Sequence, residues 1–363
     1  MRVRDSIAEL IGDTPLVRLK RMFPPPGPAV YLKMEQFNPG GSIKDRTALG
    51  MIRAEERSGR LRPSTTIVES SSGNTAIGLA ILAKDRGYDV VAICDRHLPE
   101  VKRARLRTFG ADIVFLPETP VGLDTVELRI AVANELARTM DAAVTLGQYS
   151  HPGNPEIHYS TTGPEIWEHL DGDVAAVVAA VGTCGTIAGV GRYAKERDPR
   201  TQVVGAEPEG SVIFGGPPGR YLIQGGGLSF VPSIFDESVV DRGEKISDAD
   251  ALAALQEVAA TEGWMLGGTS GLVLAAIERV AQDLGPADAI VGIVPDGGDR
   301  YVETLFNPDW IRASGAGTTS DRARDEATVA AAAELGCTIN VTTGPGAGSL
   351  ASLQRRLELP TAA

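Results

Sequence analysis

The sequence predicts an α/β chain built on mostly parallel sheets with helices on each side. Short β-type runs, largely apolar, alternate with helical stretches along most of its length. Strands apolar on both faces and separated by helices belong to parallel sheets. At 363 residues the chain has room for two domains or one large α/β unit. Hydrophobic residues make up 43% and charged residues 23%, the composition of a folded chain rather than a disordered one.

Taken in order, a helix follows Lys44. Thr66–Glu69 is a strand, followed by a helix from about Thr75 to Asp85. Asp89–Cys94 is a second strand, followed by the basic helix Glu100–Phe109. Asp112–Leu116 is a third, followed by a helix from Asp124 to Met140. Val174–Val181, Gln202–Ala206 and Ala289–Pro295 are further strands, and Leu272–Val280 is an apolar helix. The Gly/Pro-rich stretch Gly210–Gly227 interrupts the cycle and is expected to be irregular. No internal repeat is visible. Residues 1–312 read as a compact body. Residues 313–363 are rich in Ala, Gly, Thr and Ser and read as an appendage with one short helix near Asp325–Leu335.

Several function classes fall away on composition. The net charge of −12 is a poor match for a phosphate backbone, so no nucleic-acid partner is expected. No apolar run reaches the ~18–20 residues of a membrane span. The N-terminus contains acids and lacks a long apolar core, which is unlike a secretory signal. Cys94, Cys184 and Cys337 form neither a CxxC pair nor a disulfide framework, which fits a reducing cytoplasm. With four histidines and no HExxH, no histidine-built metal site is expected.

Four polar or glycine-rich loops sit where strand ends meet helix starts, the ligand-binding edge of open parallel sheets. In Asn38–Arg46, two glycines and a serine precede Lys44. A helix dipole is positive at its N-terminus, so the field there lowers a lysine pKa and favours a neutral, imine-forming amine. A surface lysine is the plain alternative. In Glu69–Ala76, small hydroxyl residues and Gly73 leave backbone N–H groups open to a carboxylate or phosphate, although Asn74 or Thr75 could equally be a helix N-cap. Val181–Val190 follows an apolar strand and offers Gly182, Gly185, Thr183 and Thr186. It is a phosphate cradle in principle, neither GxGxxG nor a Walker loop, and packing alone could explain it. Leu266–Gly271 either caps its helix through Thr269 or Ser270 or sets a hydroxyl against a ligand nitrogen.

The order of all four loops in one α/β chain resembles the fold-type II pyridoxal-phosphate (PLP) enzymes, and within them the cysteine synthase and cystathionine β-synthase family. The resemblance runs from about Ile7 to Ile311. It is carried by Ile11-Gly-Asp-Thr-Pro-Leu-Val-Arg-Leu19, Asn38-Pro-Gly-Gly-Ser-Ile-Lys-Asp-Arg46, Ser72-Gly-Asn-Thr75 and Ile157-His-Tyr-Ser-Thr-Thr-Gly-Pro-Glu-Ile-Trp167. It continues through Gly182-Thr-Cys-Gly-Thr186, Ile223-Gln-Gly-Gly-Gly227, Gly267-Gly-Thr-Ser-Gly271 and Pro295-Asp-Gly-Gly-Asp-Arg-Tyr301.

The resemblance implies a large PLP-binding domain of residues 1–40 plus 152–312, a smaller mobile domain of 41–151, and a C-terminal extension of 313–363. It implies that Lys44 carries the cofactor as an internal aldimine and, once freed, removes the substrate Cα proton. Asn74 would bond the cofactor's ring hydroxyl. Ser71, Ser72, Thr75 and Gln148 would grip the substrate carboxylate. Gly182, Thr183, Cys184, Gly185 and Thr186 would hold the cofactor phosphate, and Thr269 would face the pyridine nitrogen. A hydroxyl at that nitrogen makes the ring a weaker electron sink and favours direct loss of a β-substituent. The implied course is ping-pong: an O-acetyl- or O-phospho-L-serine loses its leaving group, an α-aminoacrylate remains, and a nucleophile adds at Cβ. A homodimer is expected from the family.

Two departures stand out. Cys184 replaces the usual glycine of the phosphate loop, and Thr269 replaces the commoner serine. Glu209-Gly-Ser-Val-Ile-Phe-Gly-Gly-Pro-Pro-Gly-Arg220 resembles relatives that use O-phosphoserine, including siderophore-pathway enzymes that join it to glutamate. Arg220 is therefore a candidate receiver for a dianionic leaving group, or a solvent-exposed loop arginine. The main expectation is a sulfur nucleophile giving L-cysteine or an S-substituted cysteine. The alternative is an amine-accepting N-(2-amino-2-carboxyethyl)-L-glutamate synthase feeding 2,3-diaminopropionate formation. A PLP-binding but non-catalytic protein is the reading from another class, opposed by intact Lys44, Asn74 and Gln148.

Overall fold

The computed structural model describes residues 3–96, 98–116 and 124–315. The helix expected near Asp325–Leu335 and most of the 313–363 extension lie outside the described residues.

In chain order the elements are β1 (Leu16–Leu19), β2 (Ala29–Met34), α1 (Lys44–Ser58), β3 (Thr66–Ser70), α2 (Asn74–Arg86), β4 (Asp89–Cys94), α3 (Glu100–Thr108) and β5 (Asp112–Phe115). They continue with α4 (Thr125–Thr139), β6 (Ala143–Thr145), α5 (Gly153–Ile157), α6 (Gly163–His169), β7 (Ala176–Ala180), α7 (Gly185–Arg197) and β8 (Gln202–Pro208). The last are β9 (Arg242–Ile246), α8 (Asp248–Glu262), α9 (Gly268–Val280), β10 (Ala289–Val294) and α10 (Pro308–Ser314).

Among the described residues two sheets result, ordered β1-β2-β10-β7-β8-β9 and β5-β4-β3-β6. Every pairing is parallel except β1 with β2. β10 shows why. All six residues of its Ala-Ile-Val-Gly-Ile-Val run are buried, so helices must cover both faces. One face of the larger sheet packs on α8 and α9 through Leu255, Val273 and Ile277. Its other face packs on α7 through Ile187 and Val190. The smaller sheet is buried against α1 and α2 through Met51, Ile52 and Leu79.

Each strand expected above is present within one or two residues of its predicted bounds. Gly210–Gly227 contains no helix or strand. β1, β2, β6 and β9 were not anticipated. β1, β6 and β9 are short or carry charge, and β6 has only three residues, all half-buried.

The topology turns the carboxyl ends of β3, β7 and β10 and the loop after β2 toward one cleft. Its walls include Lys44, the Ser71–Thr75 turn, Gly182, Thr183, Thr269, Pro295 and Asp296.

Candidate active site

Lys44 opens α1. Its N–H donates to Ser42 Oγ at 3.2 Å, and the N–H of Ile43 donates to Pro295 O at 2.8 Å, so the helix start is tied to the end of β10. The next residues anchor it. Arg46 is 1% exposed, and its Nε donates to Glu35 Oε2 at 2.7 Å while Nη2 donates to Glu165 Oε2 at 2.6 Å. Lys33, also buried, pairs with Glu165 at 2.6 Å. Buried charges persist only when paired and hydrogen-bonded, and here two cations face two carboxylates. The lysine two residues before Arg46 therefore projects from a fixed base. Burial pushes the Lys44 amine below its ordinary range, opposed by the nearby Asp296 and Cys184. A buried lysine that titrates low is a nucleophilic amine.

Lys44, Gly182, Thr183, Cys184, Thr186 and Thr269 line one small cavity. That cavity shares the walls at Lys44, Gly182, Thr183 and Thr269 with the larger cleft, of about 780 Å³. α7 starts at Gly185 without a side-chain cap, so its first N–H groups and positive dipole end remain for an anion. A Cβ at Gly185 would stand 2.0 Å from Asn154 Oδ1, which explains the glycine. Asn154 also donates to Thr183 Oγ1 at 3.2 Å. Cys184 adopts φ +66°, the left-handed region that glycine occupies without strain, so the glycine usual in the resembled family suits this backbone. Burial, helped by Glu207, pushes the Cys184 thiol up to about 12, which disfavours the reactive thiolate at neutral pH.

The turn after β3 has the form of a carboxylate site. α2 is entered through Gly73 with no side-chain cap, so neither Asn74 nor Thr75 serves as the N-cap. Ser71 Oγ accepts from the N–H groups of Gly73 and Ala76 at 3.2 and 3.3 Å. Ser72 Oγ accepts from Asp95 N at 2.7 Å and from Arg129 Nη1 at 2.6 Å. Each hydroxyl is thus fixed as an acceptor toward the protein, leaving its own O–H to donate elsewhere. Thr75 Oγ1 donates to Gln148 Oε1 at 2.6 Å, and Gln148 Nε2 donates to Ser70 O at 3.0 Å. Buried Glu69 holds Gln148 in place by accepting from Gly147 N at 2.9 Å and Gln148 N at 3.4 Å.

Asn74 meets the end of β10. Its Nδ2 donates to Asp296 Oδ2 at 2.7 Å, and Arg300 Nη1 donates to its Oδ1 at 2.6 Å. Thr269 lies in the first turn of α9, whose N-cap is Gly267 with no side-chain bond, so the capping alternative falls here too. Ser270 is fully buried and its Oγ has no partner among the described residues, whereas Thr269 is on the cavity wall.

Arg220 stands apart. It is exposed and lines a neighbouring cavity with Asp124, Tyr221 and Asp248 rather than the cleft. Asp296, Arg300, Asn154 and Glu69 are further residues of the site that the sequence reading above does not single out. Asp296 and Arg300 lie in the quoted Pro295–Tyr301 segment, so that signal was available. Asn154 and Glu69 act only through neighbours distant in sequence, and nothing local marks them. Among the described residues no His/Cys/Asp/Glu cluster could hold a metal ion, and no helix is long and apolar enough to cross a membrane.

A buried amine, an uncapped helix start and a hydroxyl sharing one cavity fit a phosphorylated aldehyde cofactor. A family model for pyridoxal-phosphate dependent enzymes matches residues 7–296, and the chain belongs to that family. It is 37% identical over 302 residues to a cysteine synthase of Staphylococcus aureus, covering 83% of this chain and 96% of the relative. It is 36% identical over 321 residues to the cystathionine β-synthase of Apis mellifera, covering 86% of this chain but 64% of that longer protein. Among solved structures, the O-acetylserine-dependent cystathionine β-synthase of Helicobacter pylori superposes with a TM-score of 0.78 at 32% identity, over 84% of this chain and 99% of that one. An O-ureido-L-serine synthase superposes with a TM-score of 0.79 at 35% identity, over 85% and 96%.

Proposed function

We propose that the chain catalyses PLP-dependent β-replacement on an activated L-serine, with a sulfur nucleophile giving L-cysteine or an S-substituted cysteine. The observation that carries this reading is the shared cavity of Lys44, the Gly182–Thr186 loop and Thr269, opening on the Ser71–Thr75 turn. The relatives named above act in the same chemical class, and none is named for joining serine to glutamate, so the amine-accepting alternative gains no support.

Bound at Lys44, PLP would supply the electron sink that acidifies the substrate Cα–H. The residues divide the remaining work. Gly182, Thr183, Cys184, Gly185 and Thr186 hold the phosphate. Thr269 presents a neutral hydroxyl to the ring nitrogen, and Asn74 offers its second Nδ2–H to the ring hydroxyl. Ser71, Ser72 and Thr75, braced by Gln148, take the substrate carboxylate. The Lys44 amine, freed by the substrate, receives the Cα proton. The finer expectations are a homodimer, a cytoplasmic setting and acceptance of O-phosphoserine.

The test is a product assay by mass spectrometry that crosses O-acetylserine and O-phosphoserine with sulfide, thiosulfate and glutamate. Cysteine or an S-substituted cysteine is expected. Formation of the glutamate adduct alone would move the chain to the amine-accepting class. No consumption of either donor would overturn the enzymatic reading.

A further inference from the structure

Residues 209–236, after β8, contain no helix or strand, yet they supply one wall of the site. Gly225 lines the small cavity with Lys44 and Thr269, and Gln224–Leu228 line the cleft. Gly227 N donates to Val181 O at 2.5 Å, which seats this wall against the Gly182–Thr186 loop. An irregular segment keeps such a position only if bonds from outside the wall hold it there.

A buried carboxylate does so. Glu207, at the end of β8, is 0% exposed. It accepts from Ser211 Oγ, from the N–H groups of Ile213 and Phe214 at 3.1 Å each, and from Lys245 Nζ at 2.7 Å. Glu207 and Lys245 face each other across β8 and β9, so a plain cross-strand ion pair is the simplest account. It explains neither the burial nor the partners. The other donors to Glu207 all belong to Ser211–Phe214, and Lys245 Nζ itself donates to Ser211 O at 2.7 Å. Phe214 adds to the grip. Its ring lies over the paired glycines Gly205 and Gly243, where a Cβ would stand 2.3 and 2.4 Å from it. Ser211 passes the hold on to the wall: its Oγ accepts from Leu228 N at 3.0 Å, and Val212 N donates to Leu228 O at 2.9 Å.

We propose that Glu207 and Lys245 are positioning residues for the Gly225–Leu228 wall, acting through Ser211. The inference rests on the β-replacement reading and concerns the same site. Neither side chain is on the cleft wall. The wall shares the cleft with the Ser71–Thr75 turn, whereas Lys44 is anchored separately through Arg46, so the pair bears on substrate binding more than on turnover.

The test compares Lys245→Met, Lys245→Arg and Ser211→Ala with Arg279→Met. Arg279 pairs with buried Glu244, on the other face of β9, so its loss breaks a similar pair away from the wall. Hydrogen exchange of residues 224–228 in the apoprotein reads the wall without cofactor or turnover. It should speed at least about tenfold in Lys245→Met and Ser211→Ala, the size expected on losing a hydrogen bond to a charged group, and stay near wild type in Lys245→Arg and Arg279→Met. In the holoenzyme the KM for the activated serine should rise at least about tenfold in the same two variants, with kcat changed less than about threefold and Lys245→Arg restoring most of the loss. Unmoved exchange in Lys245→Met and Ser211→Ala, equal effects of Arg279→Met, or faster exchange with an unmoved KM would each overturn the positioning role. Faster exchange confined to those two variants, in a protein that turns over no donor, would keep the brace and remove the β-replacement reading. Turnover with exchange and KM both unmoved would do the reverse.

Discussion

Arg300 Nη1 donates to Asn74 Oδ1 at 2.6 Å, and this bond fixes which way the Asn74 amide faces. A guanidinium only donates, so the carbonyl must meet Arg300 and the NH2 must meet the Asp296 carboxylate at 2.7 Å. One N–H of that amide is left for a further acceptor. Arg300 Nη2 also donates to Gly40 O at 2.6 Å, so the same side chain joins the loop before Lys44 to the start of α2.

Replacing Arg300 by Met should therefore loosen both. Asp296 would lose Arg300, the principal charge beside it, and keep hydrogen bonds from Asn74 and Tyr301 only, with Lys102 as a remaining cation, costing about 3 kcal/mol by urea denaturation. The holoprotein should also lose cofactor on dialysis faster than wild type. Adding Asp296→Asn should recover part of the stability, because the orphaned charge is gone. A double variant no more stable than Arg300→Met alone would remove the charge-pairing account.

The Arg46–Glu165–Lys33 group makes a second prediction. Glu165→Gln leaves two buried cations facing Glu35 alone, and the expected loss is about 3–5 kcal/mol. A measured loss below about 1 kcal/mol, the range of an exposed ion pair, would show that the group does not anchor α1.

Cys184 tests the phosphate loop. Cys184→Gly should change stability by no more than about 1 kcal/mol, since relief at φ +66° offsets the lost burial. Cys184→Val should be worse, by over about 2 kcal/mol, because a β-branched residue is strained there. The native thiol should resist a disulfide reagent at pH 8, given a value pushed up to about 12. Rapid native labelling at Cys184 would contradict this.

Glu69 gives a pH dependence. Burial pushes its carboxyl up to about 7, against the lowering effect of the Gly147 and Gln148 N–H groups. The folded group thus holds its proton where the unfolded one, near 4.5, has lost it. Stability from this group is full below the unfolded value and falls as pH rises from about 4.5 to 7, by on the order of 3 kcal/mol. Glu69→Gln should flatten that part of the pH–stability curve. An unchanged slope would place the titration elsewhere.

The parallel strands were legible because burial on both faces leaves continuous apolar runs such as Ala289–Val294. The short β1, β6 and β9 leave no such run. Lys44, Gly182–Thr186 and Thr269 were legible because ligand loops between strand and helix need glycine and hydroxyls in fixed order. Whether Thr75 and Thr269 cap their helices was open in sequence, and the backbone decides it: Gly73 and Gly267 hold the N-cap positions. The sequence marks Lys102 and Arg129 only as parts of helices, since their place on the cleft depends on how α3 and α4 pack around the smaller sheet. Arg220 shows the converse, a phosphate-suited side chain whose loop directs it to the neighbouring cavity.

The central claim is that the Lys44 amine holds the cofactor covalently. Borohydride reduction of the purified holoprotein, followed by peptide mapping with mass spectrometry, tests it most directly. A phosphopyridoxyl adduct on Lys44 is the predicted result. An adduct on another lysine, or none, would contradict the account.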